Sequence, residues 1–394
     1  MAEIIERYYS ATISGKRKYF NQFFVFSAIV IKERWLLLMK TKIPKDAVEK
    51  YLKKRYKKAK ILEYKKLGSG WHGSGYKITA RIDNRIKAFI LRTKNKINFS
   101  YDYSSDRAAS FMLSHQLANR TPKHIKSLDV VGIAKNKNTV SVGNCHEFFQ
   151  LVEPAKGKEY MEDLKRIKNK NRLEKNDKEK ALTLSDYLVK LHKIKFKGNK
   201  EIAASVYKRH LRDCIGSGEM LIGVFDTYPD KISFAKEKEV TDIIKKSVEL
   251  REKLKYNCQR LCRIHGDFHP GNILWDKKGL IVMDASRELY GDPADDLTSM
   301  AINYIWFSLM HKGNFSGYFK ELFDIFWGNY IRKTKDYEIN KIAPLFFSFR
   351  GIVVAHPLFY KDQTNETRRK IFNFINNILD GKRFDCKKIN SYIE

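Results

Sequence analysis

Proline is scarce in this chain, at 8 of 394 residues, and no Pro- or Gly-rich linker is present. That excludes a collagen-like or proline-linker architecture. Cysteine is scarce as well. Cys145, Cys214, Cys258, Cys262 and Cys386 are odd in number and scattered, which argues for free thiols in a reducing compartment. Cys258 and Cys262 are expected on one helix face. Long apolar runs are missing too: the best, Phe23 to Ile31, is far short of the ~20 residues that span a bilayer, and Lys32, Glu33 and Arg34 interrupt it. No small-residue cleavage site follows it, so a cytoplasmic protein is expected.

Acidic residues are outnumbered, 45 against 77 Lys and Arg, for a net charge of +32. Such a field attracts anions: nucleotides, nucleic acid, acidic lipid. The charge is spread along the chain, which equally fits a lysine-covered surface, although clusters stand at 53–60 and 165–180. What is present excludes a disordered chain: 43% hydrophobic and 13% aromatic residues. The length exceeds what one hydrophobic core usually serves, so more than one packed unit is expected.

Three regions are expected: an extension over 1–60, a β-rich unit over 61–152 and a mainly helical unit over 153–394. The extension holds an apolar stretch at 19–39 and a basic helix at 45–58. In the second region, strands are expected at 61–67, 76–82 and 87–92, a serine-capped helix at 104–116, and strand-like runs at 127–133, 139–142 and 147–152. The helical region includes helices at 176–193 and 240–254, with a turn-rich loop and short strand pair at 263–284. The fold class is therefore α+β, two-lobed, with a small antiparallel sheet followed by helices, an order that suits a nucleotide held between lobes.

Gly68-Ser69-Gly70-Trp71-His72-Gly73 fits Gly-x-Gly-x-x-Gly. A dinucleotide loop must open a helix; this one opens the alternating run from Tyr76 to Ile82, a strand. A glycine loop between antiparallel strands covers ATP phosphates with backbone N–H groups; the plain alternative is a hairpin turn without a ligand. Ser74, not Lys, follows Gly73, which excludes a P-loop. A cation on the third strand is then needed for phosphate charge. Arg92 supplies it, with Lys87 and Lys94 as competitors. Asp106, or else Asp102, is assigned to orient that cation, helix capping being the other use of an acid there. Val152, on the joining strand, is assigned to the nucleotide site.

The most informative segment runs from His265 through Gly266, Asp267, Phe268, His269, Pro270 and Gly271 to Asn272, with Asp284 closing an apolar strand beyond. Phosphoryl transfer needs a carboxylate to orient the acceptor hydroxyl and accept its proton, a role that suits Asp267. It also needs oxygen ligands that hold Mg²⁺ against the phosphates, a role for Asn272 and Asp284. Pro270 and Gly271 turn the loop back on itself.

The run His265–Leu274, then Val282–Ser286, then Gly291–Ala301 resembles the aminoglycoside phosphotransferase and choline kinase superfamily, whose members share the protein-kinase fold. The likeness follows the order of elements over roughly 60–360 and is specific between Arg263 and Met300. It implies Asp267 as catalytic base, Asn272 and Asp284 as magnesium ligands, and Asp296 as a structural residue bracing the catalytic loop from a helix start. Arg212-Asp213, Gly218-Glu219 and Arg350-Gly351 resemble a poorly characterised branch. Two departures stand out: Ala285-Ser286 follows Asp284 where many members carry an aromatic and an acid, and Arg92 stands where many carry Lys.

The sequence thus predicts an ATP- and Mg²⁺-dependent kinase acting on a small hydroxyl compound. The acceptor is expected to be neutral or anionic, because a strongly basic protein repels polycations at long range. A protein Ser/Thr kinase is a second reading, against which stands the missing Ala-Pro-Glu segment. A third is a non-catalytic basic protein that binds nucleic acid or membrane.

Overall fold

The lysine-rich run after Pro44 winds into a helix because its apolar residues return at helical spacing. In the computed structural model, which describes residues 43–56, 58–69, 73–95, 101–120, 125–143, 145, 155–285, 287–381 and 383–394, α1 (Lys45–Arg55) buries Ala47, Val48 and Leu52. Asp46 in its first turn and Lys53, Lys54 and Arg55 in its last complement the helix dipole. The helix packs on β1 (Ala59–Ser69), the first strand of a three-stranded antiparallel sheet completed by β2 (Ser74–Ile82) and β3 (Arg85–Arg92). Alternation along β2 turns Ile78, Ala80 and Ile82 inward against Val48, Leu52 and Ile61. Asp83 and Asn84 both take positive φ, 46° and 67°, which gives the β2–β3 hairpin a two-residue turn of the kind that matches strand twist.

α2 (Ser104–Arg120) follows, then the short pair β4 (Val131–Ile133) and β5 (Thr139–Ser141). The serines do not cap α2. Tyr103 donates its N–H to Asp106 Oδ2 at 2.7 Å, because a carboxylate three residues into a helix reaches back to the orphan backbone donors. The apolar stretch at 19–39 and the run at 147–152 lie outside the described residues.

The chain divides into two compact units, 1–150 and 151–394. The second opens with β6 (Lys158–Glu159), α3 (Tyr160–Lys170), α4 (Lys175–His192), α5 (Lys200–Gly216), the short α6 (Leu221–Phe225) and α7 (Glu237–Leu254). Next come β7 (Cys262–Arg263), β8 (Ile273–Asp276), β9 (Gly279–Val282) and β10 (Tyr290–Gly291). β6, β8 and β9 form one small sheet, and β10 pairs with β7. Cys258 and Cys262 do not share a helix: α7 ends at Leu254, Cys258 starts a 3₁₀ turn, and Cys262 is in β7. All five cysteines are free thiols.

The remainder is α8 (Pro293–Lys312), α9 (Gly317–Thr334), α10 (Ile339–Val354), α11 (Asn365–Asp380) and α12 (Ile389–Ile393). Every residue of α8 from Pro293 to Leu309 is buried, with α9 and α10 packed against it. A helix apolar on all sides must sit inside its unit, so α8 is the axis of the helical core. Its head, at Asp292, Asp295 and Asp296, lies in that interior, and the loop from His265 to Asn272 hangs from it.

A candidate phosphotransferase site in the helical unit

Three buried carboxylates at the head of α8 are tolerable only because each is paired. Asp292 caps the helix through the Ala294 N–H (2.9 Å) and accepts from Arg260 (2.8 and 3.1 Å) and Tyr207 (2.7 Å). Asp296 spends both oxygens on the loop: Oδ2 accepts the His265 N–H and Oδ1 the Gly266 N–H, each at 2.8 Å. His192, at the end of α4, adds its Nε2 to Asp296 Oδ2 at 3.1 Å and bonds the Tyr330 hydroxyl through Nδ1 at 2.7 Å. Burial alone would raise the Asp296 carboxyl; the His192 contact and the backbone donors outweigh it and hold the group below its usual range.

That brace fixes the loop where it turns. Gly266 takes φ +84°, in the left-handed region that glycine enters without steric cost. Asp267 follows, its side chain 14% exposed. Arg350 of α10 grips it: Nη1 lies 2.6 Å from Asp267 Oδ1, while Nη2 donates to Asp295 Oδ1 (2.6 Å) and to the Gly266 carbonyl (2.9 Å). Arg287 lies 3.5 Å from Asp267 Oδ2, and His269 Nε2 lies 3.8 Å from the same oxygen. Burial pushes the Asp267 carboxyl up, but the charge of Arg350, then of Arg287, pulls it further down, so the group is ionised at neutral pH. His269 is lowered, first by burial, and its Nδ1 accepts the Gly271 N–H at 3.1 Å. It is thus a neutral ring that shapes the loop backbone.

Asn272 ends the loop in a 3₁₀ turn. Its amide donates to the Asp267 carbonyl at 3.0 Å, which leaves the side-chain oxygen as its remaining acceptor. Its own carbonyl accepts the Met283 N–H at 2.9 Å, extending the β8–β9 ladder by one step. Asp284 is the next residue, exposed and at φ +56°. A non-glycine residue in that region carries strain of about 1–3 kcal/mol, of the kind concentrated at functional sites. Asp267, Asn272 and the strand end that leads to Asp284 are therefore tied by two hydrogen bonds.

An oxygen from Asn272 and a carboxylate from Asp284, with phosphate oxygens and water, would be a donor set of the kind that suits Mg²⁺. Among the described residues no three His, Cys, Asp or Glu side chains gather into a metal cage.

The glycine segment belongs to the other unit. Gly68 and Ser69 close β1, opposite Gly75 and Ser74. Gly70 lies outside the described residues, as do Trp71, His72 and Val152. Gly73 has a reason to be glycine: a Cβ there would stand 1.8 Å from the Thr93 carbonyl oxygen. Arg92 is the exposed last residue of β3, opposite Gly75. Lys94, its competitor, reaches the Tyr101 hydroxyl at 3.2 Å and lies over that ring. Asp106 carries out the capping role described above.

Arg350, Arg287 and His192 are the site residues that sequence reasoning left without a role. Arg350 enters the sequence reading only through the resemblance of Arg350-Gly351; it and His192 stand on helices distant in sequence, and Arg287 follows Asp284 by three residues. His192 reads only as a histidine at a helix end.

Residues 232–317 match the model of a phosphotransferase enzyme family. No curated protein matches. Among solved structures, an amicoumacin kinase in complex with AMP-PNP, Ca²⁺ and its ligand is 14% identical over 83% of this chain and 91% of its own, at a TM-score of 0.39. A choline kinase from Cryptosporidium parvum is 13% identical, over 84% and 86%, at 0.29. A spectinomycin phosphotransferase with ADP and spectinomycin is 14% identical, over 90% and 98%, at 0.31. Similarities this distant say nothing of the acceptor. The matched segment contains the loop, Asp284 and the head of α8, so the family model and the sequence motif fall on the same residues, and this chain resembles that phosphotransferase family there.

Proposed function

We propose that this protein is a kinase that transfers the γ-phosphoryl group of ATP to a hydroxyl of a small, neutral or anionic compound. The observation that carries the reading is the loop itself: an ionised Asp267, held through Asp296 and Arg350, whose carbonyl is bonded by the very side chain assigned to the metal, Asn272.

Asp267 orients the acceptor hydroxyl. As that oxygen bonds to the γ-phosphorus, the bond from phosphorus to the bridging oxygen breaks and ADP leaves with its electrons; the hydroxyl proton passes to Asp267. A carboxylate held low by Arg350 is a weak base. That is sufficient where the transition state is loose and the proton moves late. Asn272 and Asp284 would hold Mg²⁺, which when bound neutralises charge on the phosphate oxygens. The glycine hairpin at 68–73 is assigned to the phosphates, with Arg92 as the accompanying cation.

The test is phosphotransfer from Mg-ATP by wild type and Asp267→Asn. Loss of a positioned base costs about 10²–10⁴-fold, so the variant is expected to fall at least 10²-fold with its fold intact by circular dichroism. Wild-type turnover by the variant would remove Asp267 from the chemistry.

A further inference from the structure

Arg350 and Arg287 both reach Asp267, and they are unequally occupied. Arg350 spends its fork on Asp267, Asp295 and the Gly266 carbonyl. Arg287 has no such set of partners. A guanidinium carries N–H donors along its whole edge. Among the described residues its one hydrogen bond runs from Nη1 to the Met220 sulfur at 2.9 Å, and a thioether is a weak acceptor. Its Nη2 stands 3.5 Å from Asp267 Oδ2, a looser approach than the 2.6 Å of Arg350 to the other oxygen. The side chain is 21% exposed, so its remaining donors can be reached by a ligand.

The position is fixed without those donors. The guanidinium lies over the buried Phe349 ring of α10, 5.3 Å from its centre, a contact that engages its face and leaves its edge free. The chain behind it is pinned. Glu288 Oε2 lies 2.6 Å from His210 Nδ1, and Oε1 lies 3.6 Å from Arg209 Nε. The Leu289 carbonyl accepts the Ile264 N–H at 3.3 Å. A Cβ on Gly291 would stand 2.5 Å from both His210 Cε1 and Ile264 Cδ1. A cation held in this way, with its hydrogen-bonding edge unspent, is preorganised for an anion.

Electrostatics agree. At Arg350 and Arg260 burial disfavours the charge, but the paired carboxylates outweigh it. At Arg287 burial, and then the charge of Arg350, push the pKa below its ordinary value, and Asp267, Asp295 and Glu219 do not restore it. Arginine stays protonated in proteins, so Arg287 is a cation whose surroundings leave room for further negative charge. In phosphoryl transfer that charge is spread over the equatorial oxygens of the group in transit. A planar fork suits such oxygens.

We propose that Arg287 is a catalytic residue: it donates hydrogen bonds to an oxygen of the transferred phosphoryl group as that group passes Asp267. The acceptor oxygen bonds to the γ-phosphorus while the bond to the bridging oxygen breaks. ADP keeps that electron pair, the hydroxyl proton goes to Asp267, and Arg287 keeps all its own protons. The inference rests on the kinase reading and adds a residue to it.

The experiment uses nitrate, a planar anion that imitates the phosphoryl group in transit. Mg-ADP is titrated into the full chain by calorimetry, with and without nitrate. Wild type is expected to bind Mg-ADP roughly tenfold more tightly with nitrate, since a transition-state mimic gathers interactions made only in transit. Arg287→Gln is expected to bind Mg-ADP as wild type does and to lose the nitrate effect. In Mg-ATP turnover with water as acceptor, the same variant is expected to lose about 10²–10³-fold in kcat, with its KM for ATP little changed. Should it fail to fold by circular dichroism, Arg287→Lys takes its place. That variant keeps a charge beside Asp267 but loses the fork, and is expected to show a weaker nitrate effect and at least roughly tenfold lower kcat. In Arg287→Ala, added guanidinium is expected to restore part of the turnover, which a purely structural role would not allow.

A nitrate effect that survives in Arg287→Gln, its absence from wild type that binds Mg-ADP, or undiminished kcat in the variant would each overturn the role of Arg287 and leave the kinase reading standing. A loss seen only with anionic acceptors, and not with water, would overturn it too, by moving Arg287 to the acceptor. A wild type that neither binds Mg-ADP nor turns over Mg-ATP would remove the kinase reading, and this inference with it.

Discussion

Nothing in the sequence gives Arg350 a role, and the candidate site is organised around it. One guanidinium satisfies Asp267, Asp295 and the Gly266 carbonyl, a three-way engagement that a planar fork manages and a single ammonium does not. Arg350→Lys is expected to keep the charge, lose the geometry and lower kcat by about one to two orders of magnitude, since small misplacements of a reacting group are costly. A pH profile separates positioning from mere stability. Asp267 is held below its ordinary value mainly by Arg350 acting against burial, so weakening that contact raises its pKa. The acid limb of the rate profile should then move to higher pH. An unmoved acid limb in a folded variant would show that Arg350 does not tune Asp267.

At the level of elements, the loop is only as rigid as its attachment to α8. Asp296 receives two backbone N–H groups and the His192 ring in a fully buried setting. Truncation orphans all three, at about 1–3 kcal/mol each. Asp296→Ala is accordingly expected to lower unfolding stability by at least about 3 kcal/mol in urea titration, and to abolish turnover along with it. The pH dependence has a definite sign. Because the folded carboxyl lies below its unfolded value of about 3.9, its contribution is complete above that value and is lost as pH falls through the folded pKa. The wild-type stability lost on acidification should therefore shrink in the variant. Equal acid sensitivity in both would mean that another carboxylate dominates.

Across the whole molecule the governing quantity is the charge of +32. A field of that size raises the encounter rate of an anion such as ATP, and salt screens it over about 8 Å at physiological ionic strength. The kcat/KM for ATP is expected to fall several-fold between roughly 20 mM and 500 mM salt. A flat ATP response would mark the lysines as solvation of the surface and nothing more. Among the described residues no helix is long and apolar enough to cross a membrane.

How much of this was legible beforehand follows from the range of the forces involved. Alternation in β2, the helical stripe of α1, the turn at Asp83-Asn84 and the crowding of Asp, Pro, Gly and Asn between His265 and Asn272 are local patterns. Neighbouring residues dictate them, so the sequence by itself determined the class of the fold and the loop that bears Asp267 and Asn272. The cap on α2 and the separation of Cys258 from Cys262 depend on where helices stop, which a few hydrogen bonds decide. The grip of Arg350, the brace from His192 and the His210–Glu288 pair join residues scores of positions apart. Only the tertiary structure decided these, because the burial that makes such charged and polar contacts strong does not exist until the helices pack.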